Sequence, residues 1–110
     1  MGPDAPLVCR LDALGPRDRE RHAELSRQLR SRICSLEELP RGFAFRFPEE
    51  DPGLAESLVE WVALDRRCCP FLEFELLLGR KCEPVILRLT GREGTKEFLA
   101  AEFFLPRVGP

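Results

Sequence analysis

The chain has no tyrosine, one tryptophan, one methionine and a single histidine among its 110 residues, and no stretch near the roughly 18 apolar residues that a membrane helix needs. One histidine and no nucleophile elbow leave a serine-histidine-acid triad without support. There is no Cys-x-x-Cys pair and no Cys…His finger spacing, so no zinc module can be read locally. Low-complexity segments and long linkers are also missing. The formal net charge of -2 supplies no general attraction to nucleic acid or to an anionic membrane. Lysine is scarce, and fifteen of the seventeen basic residues are arginine. Together with the missing tyrosine, that bias reflects the composition of the source rather than chemistry.

What is present describes a small globular chain. Hydrophobic residues make up 44% and charged residues 33%, enough apolar surface for a single core. The opening Met1-Gly2-Pro3-Asp4-Ala5-Pro6 has no basic segment leading into an apolar one, unlike a secretory signal. The expectation is a cytoplasmic protein whose thiols stay reduced. Five cysteines, an odd number, point the same way, with free thiols as the default.

The apolar periodicity predicts an α+β protein in one domain, with an extended lead-in over residues 1–10 and a helix over 16–32. That helix opens at Gly15-Pro16-Arg17-Asp18, and His22, Leu25, Leu29 and Ile33 fall on one stripe. Two strand-strand-helix units follow, over 33–67 and 70–105. In the first, Phe43, Phe45 and Phe47 alternate as a half-buried strand after the Pro40-Arg41-Gly42 turn. A helix then carries Leu54, Leu58, Trp61, Val62 and Asp65 on one stripe, and Pro70 stops it near Cys68. In the second, Leu72 to Leu78 and Val85 to Leu89 form a hairpin around Gly79-Arg80-Lys81. A last helix carries Phe98, Leu99 and Phe103 and ends at Pro106. A shift of 42 residues lays Val85-Ile86-Leu87-Arg88-Leu89 on Phe43-Ala44-Phe45-Arg46-Phe47. The two hairpins are expected to pool into one four-stranded, mainly antiparallel sheet with helices packed on one face.

Chemistry concentrates in Asp65-Arg66-Arg67-Cys68-Cys69-Pro70-Phe71. Helical phase places Cys68 on the core stripe, as a small buried residue, and turns Cys69 by about 100° toward the edge of that stripe, at the helix exit next to solvent or the sheet. A disulfide between the two is disfavoured, since Cα atoms across a trans peptide lie about 3.8 Å apart against the roughly 4.4–6.8 Å of ordinary disulfides. Metal ligation suits neighbouring thiolates better, with zinc, copper(I) or a heavier thiophilic ion as the match. Arg66 and Arg67 favour a thiolate, while Asp65 and the negative end of the helix oppose it.

Two ligands need a third. Cys9 is the first choice, because the lead-in is free to pack against the helix exit. Cys82 is expected in a hairpin turn facing solvent, and Cys34 is expected to alternate into the strand core. His22 reads as a packed, hydrogen-bonded histidine before it reads as a ligand. Gly91-Arg92-Glu93-Gly94-Thr95-Lys96 lacks the order of a phosphate loop and is read as a glycine-rich turn opening a helix. The first helix has a net charge of +3 over 16–32, but acidic residues interleave and no aromatic platform accompanies it, so no nucleic-acid surface is expected.

Asp65-Arg66-Arg67-Cys68-Cys69-Pro70-Phe71-Leu72-Glu73-Phe74-Glu75-Leu76 and Leu89-Thr90-Gly91-Arg92-Glu93-Gly94-Thr95-Lys96-Glu97-Phe98-Leu99 together resemble a family of small bacterial proteins. Its members carry an acidic-Arg-x-Cys-Cys-Pro-Phe block and a Leu-Thr-Gly-x-Glu-Gly-x-Lys-Glu-Phe block, with a cysteine before the first helix that Cys9 matches. Where many relatives have proline after Thr-Gly, this chain has Arg92. The resemblance implies a metal or redox role but brings no established activity, so no catalytic residue is carried over.

The reading is therefore a metal-binding protein using Cys68, Cys69 and Cys9 for sequestration, delivery or sensing, with no turnover. One alternative is a thiol-redox protein in which Cys69 is an exposed nucleophile resolved by Cys68 or Cys9, acting on a small thiol. The other is a protein-interaction module whose cysteines only pack. A monomer or a homodimer is expected.

Overall fold

The structure, a computed structural model, describes residues 10–48 and 51–102. A short 3-10 turn (Leu11–Ala13) leads into α1 (Pro16–Arg30), followed by β1 (Ser35–Leu39), β2 (Gly42–Phe47), α2 (Leu54–Cys68), β3 (Glu73–Leu78), β4 (Val85–Thr90) and α3 (Thr95–Glu102). The four strands form one antiparallel sheet in the order β1-β2-β4-β3. This is the expected α+β architecture, a leading helix with two strand-strand-helix units.

The central pair explains the internal repeat. Phe43, Phe45 and Phe47 of β2 stand opposite Leu89, Leu87 and Val85 of β4, so the two units meet about Phe45 and Leu87. Facing residues of an antiparallel ladder lie on the same side, and alternation puts all six on the helix-covered face. The three phenylalanines are 1–2% exposed, and Leu87 and Leu89 are 4% and 0% exposed. The hairpin leaving β1 is tight. Gly42, which opens β2, lets its backbone pass close to β4, because a Cβ there would lie 1.9 Å from the Leu89 carbonyl oxygen.

α2 supplies the other half of the core. Leu54, Leu58, Trp61, Leu64, Asp65 and Cys68 are its buried residues, recurring at helical spacing on one face. α1 packs beside α2, burying Leu25 and Leu29, and α3 adds Leu99 against β2. The chain entering at Arg10 covers the far end of α2: the Arg10 amide donates to the Cys68 carbonyl at 2.7 Å, and Leu14 is buried in the core.

Several boundaries differ from expectation. α1 ends at Arg30 rather than residue 32, and β1 begins at Ser35 rather than residue 33. Ile33 packs against the core from the connection between them, so its apolar character served neither element. Cys34 lies one residue before β1, exposed, with its thiol donating to the Arg46 carbonyl at 3.2 Å, and not in a strand core. Cys82 is exposed in the β3–β4 turn, as expected, with a φ of 77°. Cys9, Phe103 and Pro106 lie outside the described residues.

Candidate metal centre at the exit of the second helix

The last turn of α2 holds an ionisable group where a core residue is expected. Asp65 is 4% exposed, one turn before Cys68 on the buried stripe. A carboxylate taken out of water requires partners. His22 of α1 provides one, with Nε2 at 2.8 Å from Asp65 Oδ1. The imidazole is held from the side by Trp61, with ring centroids 6.0 Å apart and planes inclined by 18°. Trp61 is anchored in turn, since its indole N–H donates to Ser26 Oγ at 2.9 Å. The facing stripes of α1 and α2 thus bring an imidazole and a carboxylate together.

Both sulfurs converge on the same oxygen. Cys68 Sγ and Cys69 Sγ each lie 3.9 Å from Asp65 Oδ1, and Cys68 Sγ lies 3.4 Å from the Asp65 carbonyl oxygen. One ligand atom from each of His22, Asp65 and Cys68 falls within 4.8 Å of the others. The helix ends here because Cys69 leaves helical geometry (φ -123°, ψ 73°) ahead of Pro70, while its amide still donates to the Asp65 carbonyl at 2.8 Å. That departure swings the Cys69 sulfur back over the last turn.

Two expectations for Cys69 are corrected. It is 1% exposed, which removes the solvent alternative at the helix exit and the exposed nucleophile; beside it the Arg10 amide donates to the Cys68 carbonyl. It is also disulfide-bonded rather than a free thiol, whereas Cys34, Cys68 and Cys82 are outside disulfides. An exposed Cys69 nucleophile is therefore not what this state presents.

The competition between charges around Cys68 resolves against the thiolate. Burial pushes the Cys68 thiol up to about 12, and the neighbouring Asp65 carboxylate pushes in the same direction. The arginines do not compensate, since Arg67 turns outward to pair with Asp18 at 3.2 Å. Glu102, the last described residue of α3, feels the same site. Desolvation raises its pKa, and the Asp65 charge adds to this, while His22 and Arg30 act the other way.

The sequence pattern puts both His22 and Asp65 on apolar stripes, reads His22 as packed and hydrogen-bonded before it reads as a ligand, and does not offer Asp65 as one. The legible signal was the coincidence of one ionisable residue on the buried face of each helix. Buried sulfurs fit simple packing; a buried carboxylate beside them does not follow from packing. Set against known families, curated proteins and solved structures, the chain matches none. Among the described residues no helix is long and apolar enough to cross a membrane. The fold and the site define an α+β chain with a mixed nitrogen, oxygen and sulfur cluster between two helices.

Proposed function

We propose that the protein binds one thiophilic or borderline metal ion through His22, Asp65 and Cys68, in a sequestering, delivering or sensing role. The observation that carries this reading is the convergence of three chemically different ligand atoms within 4.8 Å of one another. Ligands around tetrahedral zinc stand about 3.3–3.8 Å apart, given Zn–S near 2.3 Å and Zn–N or Zn–O near 2.0 Å. The His22–Asp65 contact of 2.8 Å opens by about half an ångström as two metal bonds replace a hydrogen bond, and the 3.9 Å sulfur distance closes slightly. An imidazole, a carboxylate and a thiolate together suit zinc better than copper(I), which favours sulfur alone. Binding requires Cys68 to lose its proton, so metal entry releases protons and weakens as pH falls.

The test is metal stoichiometry and cobalt(II) absorption on wild type, His22→Ala and Cys68→Ser, all in a Cys34→Ser/Cys82→Ser background that removes the exposed thiols. One ion per wild-type chain, with thiolate-to-cobalt charge transfer that Cys68→Ser abolishes, is the expected result. Equal weak binding by all three proteins sinks the reading.

A thiol-redox role is the second reading, favoured by a disulfide at Cys69 directly beside the free Cys68 thiol. The upward push on Cys68 counts against it as the attacking group near neutral pH, because the thiolate is the nucleophile.

A further inference from the structure

The metal site described above has three available donors and a fourth that is chemically withheld. His22 Nε2, Cys68 Sγ and Cys69 Sγ lie 2.8, 3.9 and 3.9 Å from Asp65 Oδ1, so three donor atoms stand within 4 Å of the carboxylate oxygen, four donors in all. Four is the number a closed tetrahedral site requires, and three protein ligands leave one position open. Of these atoms only the Cys69 sulfur is committed to a disulfide. A disulfide sulfur has no charge to offer a cation, whereas a thiolate ranks among the strongest ligands for zinc.

We propose that the site is a redox-gated metal centre, in which reduction of the Cys69 disulfide supplies the fourth ligand and so raises metal affinity. This rests on the metal-binding reading and specifies its regulation. A dithiol is the reductant. It gives up two electrons and two protons and closes to its own disulfide; the S–S bond at Cys69 breaks, and the two sulfurs released each end as a thiol. A divalent ion entering the reduced site displaces the Cys68 and Cys69 protons to water and takes both sulfurs as thiolates. The disulfide form of that dithiol reverses the sequence as the oxidant: its S–S bond breaks as it takes up two electrons and two protons, the bond at Cys69 re-forms, and the ion is left on three donors. Cys69 Sγ already stands as close to Asp65 Oδ1 as Cys68 Sγ does, so the added donor is next to the carboxylate. The Cys69 sulfur is buried, so a reductant reaches that sulfur only on local opening of the helix exit.

The experiment titrates zinc, in competition with a chromophoric chelator, into the full chain carrying Cys34→Ser and Cys82→Ser. It compares the oxidised protein with protein reduced by a dithiol and freed of it under anaerobic conditions. The expected result is an affinity at least about ten-fold higher after reduction, and no such gain in Cys69→Ser. Cobalt(II) supplies a readout that needs no variant: thiolate charge-transfer intensity per ion rises about two-fold on reduction, as one sulfur ligand becomes two. Equal affinity and equal cobalt spectra in the two states overturn the redox gate and leave the three-ligand site standing. Retention of the gain by Cys69→Ser overturns the gate as well. Absence of metal binding in both states overturns the gate together with the metal-binding reading.

Discussion

The two strand-strand-helix units share a frame and end differently. Their central strands pair about Phe45 and Leu87, and each unit sends its helix back over the same face of the sheet. α3 buries Thr95 and Leu99 and carries no sulfur or histidine over its described length. α2 has 15 residues, and its last turn contributes Asp65 and Cys68. The repeat therefore explains the sheet and the core but not the site. Chemistry arises where the symmetry breaks, since α1, a helix from outside the repeat, packs beside α2 and brings His22.

The strongest way to break this comparison is to damage each core half in turn. Trp61→Ala removes a 3% exposed indole that also holds the His22 ring. It is expected to cost about 3–5 kcal/mol in urea denaturation and to weaken metal binding with it. Leu99→Ala, at a fully buried position in the second unit, should cost about 2–5 kcal/mol and leave the metal stoichiometry of the folded protein unchanged. Loss of the metal in Leu99→Ala would show that the units do not divide labour in this way.

A smaller effect sharpens the chemistry of the first unit. Asp65→Asn removes the charge that reinforces burial at Cys68, so the thiol should titrate below about 12 while staying above its ordinary value. Ultraviolet thiolate absorbance against pH, without Cys34 and Cys82, measures this directly. An unchanged titration would assign the whole shift to burial.

The same thiol makes stability depend on pH. Folding raises the Cys68 value from 9.0 to about 12, so the folded chain keeps a proton that the unfolded chain gives up. The stabilising contribution is complete below about pH 9 and is lost as pH rises toward 12. Unfolding midpoints should fall across that window in wild type and fall less in Cys68→Ala. The least effect is expected from Arg21→Ala. Its guanidinium bridges α1 to Glu60 of α2 at 2.8 and 2.9 Å, but both side chains are well exposed and solvent screens the pair. A large drop in the unfolding midpoint would show that this bridge, rather than the apolar stripe, docks α1 on the first unit.

Much of the architecture was legible because it depends on periodicity. Alternating phenylalanines, the stripe from Leu54 to Asp65 and the helix stop before Pro70 are local patterns with local causes. The ends of α1 and β1 were less legible, because Ile33 packs against the core from a connection and its hydrophobicity misleads in both directions. Cys34 shares that connection, one residue short of β1, and so does not alternate into the strand core.

Fold class, the likeness of the two units and the placement of Cys68 on a buried face follow from residue pattern alone. The meeting of His22 and Asp65 does not, because the residues are 43 positions apart and helical phase says nothing about which helices face each other; packing sets it. Packing also decided the state of Cys69. Phase placed that sulfur near the edge of a stripe, but the chain around Arg10 covers the helix exit, and burial there is a property of the packed molecule rather than of α2.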